Sequence, residues 1–181
     1  LCPGSRLQEI EKHMPVFIKV INNQDLINFQ VNFFLYPSKE ISKKIYKKYI
    51  NKTNINIREK SISQDFKNID FAIVASETAT LECALTLTPM LVIYKMGALS
   101  WIITKLFFKG EYASIVNIIA NKKIVPELLQ NNFTYKNVIT EINNLMKNNN
   151  YELMQNNFTN ILNVLGADNS YKKTNNFILN C

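Results

Sequence analysis

Residues 75–83, Ala-Ser-Glu-Thr-Ala-Thr-Leu-Glu-Cys, lie between two apolar runs at residues 71–74 and 89–94. Short apolar runs separated by a Ser/Thr-rich segment predict a buried strand, a turn and the first turns of a helix. In open α/β proteins this arrangement holds phosphates, because the backbone N–H groups and the dipole of the helix N-terminus attract an anion. Glu82, one turn further, is suited to accept hydrogen bonds from sugar hydroxyls. Simple capping of the helix by the hydroxyl side chains is the alternative.

The rest of the chain alternates helical and strand patterns. Apolar residues at helical spacing predict helices, and short apolar or alternating runs predict strands. The predicted helices cover residues 7–20, 38–49, 63–68, 77–87, 99–108, 134–146 and 151–165, and the predicted strands cover residues 31–35, 54–58, 71–75 and 89–95. This alternation predicts an α/β fold, a Rossmann-like parallel sheet with flanking helices.

The size and composition indicate one globular domain. The chain has 181 residues, of which 47% are hydrophobic and 19% charged, and we expect a domain at residues 1–166 followed by a polar tail at residues 167–181. Lys95, Lys105 and Lys109 interrupt the most apolar region, so no stretch approaches the ~20 residues of a membrane-spanning helix. With no signal pattern, a cytoplasmic location is expected.

Charge and cysteine content exclude several classes of function. Cys2, Cys83 and Cys181 lack the spacing of a disulfide framework or a zinc site, so reduced thiols are expected. The net charge of +7 suits an anionic partner. No basic and aromatic motif accompanies that charge, so nucleic acid is not an expected partner.

The chain opens with Leu-Cys-Pro-Gly-Ser-Arg at residues 1–6, a pattern typical of the end of a strand, a glycine turn and the start of a helix. We therefore expect that most of a first strand is missing and that the chain is a fragment of a longer polypeptide. His13, the one histidine, is expected to pack on the first helix or lie on the surface rather than act as a general base.

Four strings in order and register resemble the lipid-A-disaccharide synthase family. They are residues 1–6 with Glu9, Ile10 and Pro15; residues 75–82; residues 89–95; and Asn-Ile-Ile-Ala at 117–120 with Val-Pro-Glu-Leu-Leu-Gln at 125–130. The resemblance extends from Leu1 to about Leu165 and covers the carboxyl-terminal half of the family's length.

The resemblance implies the donor-binding half of a GT-B glycosyltransferase. Such an enzyme transfers 2,3-diacylglucosamine from its UDP carrier to 2,3-diacylglucosamine 1-phosphate, which gives lipid A disaccharide 1-phosphate and UDP. The general base and most of the acceptor site are then expected in the amino-terminal half. This chain is therefore expected to have no catalytic base and no activity alone, and to need that half or a homodimer partner.

The resemblance also implies which residues contact the sugar donor. Arg6 would meet the charge that collects on the diphosphate as the glycosidic bond breaks, and Glu82 would accept from the ribose diol. Pro3, Gly4 and Ser5 would shape the loop for close approach of its backbone, with Ser5 as a simple helix cap in the alternative. Thr78, Ala79 and Thr80 would offer N–H groups and hydroxyls to the second phosphate, and Ser76 would also belong to the donor site. An exposed Arg6 that pairs with Glu9 or Glu11 is the alternative. Glu77 departs from the family, which usually has glycine there, and places a negative charge beside the anion site.

Asn117 matches a polar position that the family uses near the donor, and Glu127 and Gln130 would border the base pocket. A buried asparagine that satisfies loop backbone is the alternative for Asn117. Helix capping and a solvated face are the alternatives for the other two residues. No Asp-x-Asp pair is present to hold a divalent ion, and we expect neither a metal nor another cofactor.

The predicted helix at residues 99–108 is rich in aromatic residues and lysines. Contact with acyl chains or a membrane surface is one interpretation, and core packing is the simpler one. The residues concerned are Trp101, Lys105, Phe107, Phe108 and Lys109.

Two other functions remain open from the sequence. One is a nucleotide-binding or oligomerisation module without turnover. The other is a different GT-B member, such as a UDP-sugar epimerase, although the strings at residues 94–95 and 126–130 argue against it.

Overall fold

A computed structural model describes residues 1–28, 30–51, 53–75, 77–97, 110–147 and 149–164, and the structural statements below concern these residues. The helices are α1 Leu7–Ile21, α2 Gln24–Asn28, α3 Lys43–Ile50, α4 Ile62–Asp65, α5 Glu77–Leu85, α6 Ile115–Ala120, α7 Tyr135–Leu145 and α8 Asn150–Val164. The strands are β1 Phe34–Leu35, β2 Asn56–Ile57, β3 Ala72–Val74, β4 Met90–Tyr94 and β5 Glu127–Leu129. Short 3₁₀ turns follow α4 at Phe66–Asn68 and β5 at Gln130–Asn132.

The strands form two parallel sheets that the first two residues join. β1 pairs with β2, and β3, β4 and β5 pair in that order. Leu1 donates to Phe34 O at 2.6 Å and accepts from Tyr36 N at 2.9 Å, while Cys2 forms a parallel bridge with Val74. Residues 1–2 therefore act as a strand between β1 and β3, as the sequence predicts for the end of a strand.

Counted along the chain with residues 1–2 as the first strand, the spatial order is 3-2-1-4-5-6. This is the order of the doubly wound Rossmann fold. Alternate residues of β3 and β4 lie in different apolar clusters: Ile73 and Leu91 pack with α1, α3 and α7, and Val74 and Val92 pack with α5, α6 and α8. Helices thus cover both faces of the sheet, and the predicted α/β class is confirmed.

Hydroxyl side chains fix where several helices begin. Ser42 Oγ accepts from Lys44 N at the start of α3, Ser114 Oγ accepts from Asn117 N at the start of α6, and Thr134 Oγ1 accepts from Asn137 N at the start of α7. A cap satisfies an N–H group that has no partner within the helix. For this reason α3 begins at Lys43, later than the predicted start at residue 38.

Three elements were not predicted from the sequence: α2, which begins where a turn is typical at residues 22–25, and α6 and β5. The predicted helix at residues 99–108 and the predicted tail at residues 167–181 lie outside the described residues. Within the described part of the chain, no helix is long and apolar enough to cross a membrane.

Candidate functional site

Two loops leave the sheet side by side where the strand order reverses. Residues 3–6 follow the first strand, and Ala75 and the start of α5 follow β3. The two strands are neighbours, because Cys2 N donates to Ile73 O at 2.8 Å and Ala75 N donates to Cys2 O at 2.9 Å. Ligands of open α/β sheets bind in the crevice at this switch point, outside the carboxyl ends of the strands. The loop residues and the helix start that the sequence singled out therefore lie at one edge.

Gly4 and Glu9 shape the first loop. Gly4 has φ +107°, and a Cβ atom there would overlap Glu9 Oε2, so the position requires glycine. Glu9 is 8% exposed, and its Oε2 accepts from Ser5 N at 3.1 Å and from Arg6 N at 3.3 Å. Glu9 lies three positions after Arg6, the residue that caps the start of α1, which is the spacing of a capping carboxylate. A side chain of the protein thus satisfies these N–H groups.

Arg6 extends from this loop into solvent. Its side chain is 78% exposed, and Nη1 lies 3.8 Å from Glu9 Oε1. An exposed pair at this distance contributes little to stability. The structure therefore shows the alternative arrangement, an exposed Arg6 that pairs with Glu9. Because the guanidinium is accessible, it is also able to turn toward a ligand. The contact between Arg6 and a phosphate stays a prediction.

The predicted phosphate residues of the second loop occupy the first turn of α5. Thr78 is exposed, Ala79 is half-buried and Thr80 is 2% exposed. The side chain of Thr78 is thus the most exposed of the three, whereas that of Thr80 is buried. Ser76 and the side chain of Glu77 lie outside the described residues.

Glu82 joins α5 to α4. Its Oε2 accepts from Ser63 N, at the start of α4, at 3.1 Å, and the residue is half-buried. This contact places one carboxylate oxygen in a structural role. Its predicted contact with the ribose diol is not tested by this geometry.

Asn117 and Glu127 form a buried network. Asn117 is 0% exposed; its Oδ1 accepts from Ile124 N and Val125 N at 2.8 and 2.9 Å, and its Nδ2 donates to Val125 O at 2.9 Å and to Glu127 Oε1 at 2.7 Å. Glu127 also accepts from Ala113 N at 3.0 Å and from Ser114 N at 2.8 Å. The structural alternatives considered for both residues are therefore observed: one satisfies loop backbone, and the other accepts N–H groups at the start of α6. Their contacts with the sugar donor stay predictions.

Gln130 follows β5 in a strained conformation with φ +52°. Its Nε2 is buried and has no hydrogen-bond partner among the described residues. Because Tyr94 pairs with Leu129 in the β4–β5 register, the next residues, Lys95 and Gln130, leave the same edge of the sheet. A buried amide donor without a protein partner is a candidate contact for a ligand acceptor.

His13 lies in the core and joins two segments of this edge, the loop at Pro3 and the end of β4 at Lys95. It is 0% exposed; Nδ1 lies 2.7 Å from Pro3 O, and Nε2 accepts from Lys95 N at 3.1 Å. The ring packs edge-on against Phe133 with centroids 5.3 Å apart. Burial lowers the pKa of His13, and the Lys95 charge acts in the same direction, against the hydrogen bond to Pro3 O and the Glu9 charge. Of the two sequence expectations, helix packing is correct and a surface position is wrong.

A polar cluster lies beside α4, where Tyr36 and Arg58 follow the carboxyl ends of β1 and β2. Asp65 Oδ2 accepts from Tyr36 Oη at 2.8 Å and lies 3.4 Å from Arg58 Nε, while Oδ1 accepts from Asn68 Nδ2 at 2.6 Å. Burial acts to raise the pKa of Asp65, but the hydrogen bonds from Asn68 and Tyr36 and the Arg58 charge outweigh it and lower that pKa. This cluster holds α4 against β1 and β2.

A cavity of about 570 Å³ borders the amino ends of the first strand, β1 and β3, and it also reaches Tyr36 and Arg58, which follow β1 and β2. Leu1, Phe33, Phe34, Phe71 and Ala72 contribute to its lining. Its lining is mainly apolar and includes none of the predicted site residues. The cavity is therefore a feature separate from the candidate site.

The two described cysteines are buried thiols. Cys2 and Cys83 are free and buried, and burial raises the pKa of both thiols, which keeps them protonated and weakly nucleophilic. The described part of the chain has no group of three or more His, Cys, Asp or Glu side chains placed to hold a metal ion.

Sequence reasoning missed three residues at this edge: the capping role of Glu9, the bridging role of His13 and the position of Lys95. The spacing of Arg6 and Glu9 is a recognisable capping signal. The bridge between His13 and Lys95 joins residues 82 positions apart, and no local pattern indicates it.

Comparison with known proteins agrees with the resemblance. The family described as "Lipid-A-disaccharide synthetase" matches residues 1–179. Lipid-A-disaccharide synthase 1 of Legionella pneumophila (strain Paris) is 36% identical over 132 residues, which are 72% of this chain and 34% of the relative. The Rickettsia canadensis (strain McKiel) synthase is 37% identical over 133 residues, 71% of this chain and 34% of the relative. The Rickettsia bellii (strain OSU 85-389) synthase is 32% identical over 147 residues, 80% of this chain and 39% of the relative. The chain thus spans little more than a third of the length of these relatives.

Proposed function

The chain belongs to the lipid-A-disaccharide synthetase family, and we propose that it forms the sugar-donor-binding part of a lipid-A-disaccharide synthase. The reaction proposed for the complete enzyme transfers 2,3-diacylglucosamine from UDP-2,3-diacylglucosamine to 2,3-diacylglucosamine 1-phosphate. Its products are lipid A disaccharide 1-phosphate and UDP. Because the relatives are much longer than this chain, the acceptor site and the general base are assigned to a part of the enzyme outside it.

The observation that carries the proposal is the meeting of residues 3–6 and the start of α5 at the switch point of a 3-2-1-4-5-6 sheet. A nucleoside diphosphate needs a cation and N–H groups that face it from one edge. Arg6 supplies an exposed guanidinium, whose planar fork suits phosphate oxygens. The first turn of α5 supplies the positive end of a helix dipole.

The ribose and the base are proposed to lie along the same edge, toward Glu82 and Gln130. The buried Nε2 of Gln130, which has no hydrogen-bond partner within the described part of the chain, supports a contact with an acceptor of the donor molecule. Asn117 and Glu127 would support that contact indirectly, because their network fixes the loop that leads into β5. The leaving UDP would gain negative charge at Arg6, where protein groups rather than a metal neutralise it.

Binding of UDP to the 181-residue chain tests this proposal. A ligand that binds only the folded state raises the melting temperature by mass action. We expect UDP to raise the melting temperature of the wild-type chain and Arg6→Ala to lose most of that shift. Lys48→Ala, at an exposed position in the last turn of α3, removes the same charge elsewhere and should keep the shift. The absence of a shift in the wild type, or equal losses in both variants, would contradict the proposal.

Turnover separates an enzyme part from a module that only binds nucleotide. The chain should show no transferase activity alone and should restore activity when the remaining part of a relative's enzyme is supplied in trans. UDP binding without restored activity would favour the binding module. A contribution from a second copy of the chain would appear as a dependence of activity on chain concentration.

We also propose a cytoplasmic location with peripheral contact at the inner membrane. The free, buried thiols of Cys2 and Cys83 support a reducing compartment. The membrane contact is proposed for the aromatic and lysine-rich stretch at residues 101–109, which lies outside the described residues. Sedimentation with vesicles that contain anionic lipid, compared between the wild type and Trp101→Ser, tests that contact.

A further inference from the structure

His13 joins two strand ends that are not neighbours. Pro3 follows the first strand and Lys95 follows β4, and β3 lies between these two strands. Two strand spacings amount to about 10 Å. The imidazole ring with its two hydrogen bonds, 2.7 Å to Pro3 O and 3.1 Å from Lys95 N, spans this gap across the end of β3.

The partners of His13 dictate its protonation state. Pro3 O only accepts, so Nδ1 must carry the proton; Lys95 N–H only donates, so Nε2 must be unprotonated. A protonated ring would direct an N–H group at the Lys95 N–H group and break the bridge. The charged groups that act on the ring are the Glu9 carboxylate, from its own helix, and the Lys95 ammonium, from the end of β4.

Packing alone does not require this bridge. The edge-on contact between His13 and Phe133 resembles that between Phe17 and Phe133, whose ring centroids are 6.2 Å apart. Phe17 lies one turn further along α1 and is equally buried. An apolar side chain at position 13 would fill the same space, so the hydrogen bonds to Pro3 and Lys95 are the distinguishing feature.

We propose that His13 is a positioning residue of the sugar-donor site, which holds residues 3–6 and the backbone of Lys95 at a fixed spacing so that Arg6 and Lys95 face the same diphosphate. This inference rests on the proposed function, because it assigns the diphosphate to the switch point. It adds Lys95 to the groups that meet the phosphates and gives His13 an indirect role. His13 itself is buried beneath the loop and does not contact the ligand.

The test compares UDP dissociation constants of four forms of the 181-residue chain by isothermal titration, under conditions where each form is folded by circular dichroism. His13→Leu removes both hydrogen bonds. His13→Gln keeps an acceptor that can reach Lys95 N–H. Phe17→Leu is the matched control, because it weakens packing against Phe133 without touching either strand end.

We expect His13→Leu to weaken UDP binding about tenfold, His13→Gln to fall between it and the wild type, and Phe17→Leu to stay within about twofold of the wild type. Should His13→Leu fail to fold, the comparison of His13→Gln with Phe17→Leu still decides: binding weakened only in the former supports the role. Equal affinity in the His13 variants and the wild type, or an equal loss in Phe17→Leu, overturns the inference alone. A wild-type chain that does not bind UDP overturns the proposed function, and this inference with it.

Discussion

Replacement of Asn117 by alanine should strongly lower the free energy of unfolding, because this side chain holds the segment between α6 and β5. The side chain makes four hydrogen bonds of 2.7 to 2.9 Å, to the backbone of Ile124 and Val125 and to Glu127. Ile124 and Val125 are 8% and 1% exposed, so water has little access to the groups that the substitution leaves unpaired.

The magnitude follows from the groups left without partners. Two buried N–H groups and one buried carbonyl lose their bonds to Asn117, and each unsatisfied group costs about 1–3 kcal/mol. The three costs are not additive, because a water molecule that enters the vacated space replaces part of the bonding. We therefore expect a loss of about 3–4 kcal/mol in the free energy of unfolding, which is a large part of the stability of a single domain.

Urea unfolding at neutral pH, followed by circular dichroism without ligand, measures this loss. Asn131→Ala, at an exposed position of the turn after β5, is the matched control and should change the free energy of unfolding by less than about 0.5 kcal/mol. A loss below about 1 kcal/mol for Asn117→Ala would refute the view that Asn117 is a structural residue whose polar atoms are occupied within the protein.

Three further predictions concern stability. Gly4→Ala should cost at least about 2 kcal/mol in urea unfolding, because alanine is strained at φ +107° and its Cβ would overlap Glu9; an unchanged midpoint would contradict this geometry. Tyr36→Phe should cost about 1–3 kcal/mol by the same assay, because it removes the buried hydrogen bond to Asp65, and a neutral effect would show that the cluster does not hold α4. Burial lowers the pKa of His13 in the folded chain, so the unfolded chain binds a proton at a higher pH than the folded chain does. The free energy of unfolding should therefore decline as the pH falls below about 6.5. A His13→Leu variant with the same decline between pH 7 and about 5.5 would show that another group is responsible.

Much of the fold could be predicted from local patterns. The apolar spacing of α1 and the Ser/Thr-rich start of α5 gave both elements at nearly their observed positions. β5 was missed because Glu127 lies within the strand, where a carboxylate is normally disfavoured; here it accepts N–H groups from Ala113 and Ser114. That compensation comes from residues 13 and 14 positions away, and a local pattern does not reveal it.

The sequence predicted which residues lie at one edge of the sheet. It did not predict which of their polar atoms form hydrogen bonds within the protein. The motifs placed residues 3–6 and the start of α5 correctly as neighbours. They did not reveal that the Glu9 carboxylate accepts from the N–H groups of Ser5 and Arg6, or that Asn117 has its polar atoms occupied by the protein. These contacts depend on how the loops pack after folding, because the same side chains can serve a ligand or the backbone.

Hydrogen–deuterium exchange of the 181-residue chain with and without UDP tests most directly whether the diphosphate lies at the switch point. We expect slower exchange in residues 3–9 and in the first turn of α5, with little change at the cavity around Phe33 and Phe71. Protection confined to that cavity, or no protection in the chain at saturating UDP, would contradict it.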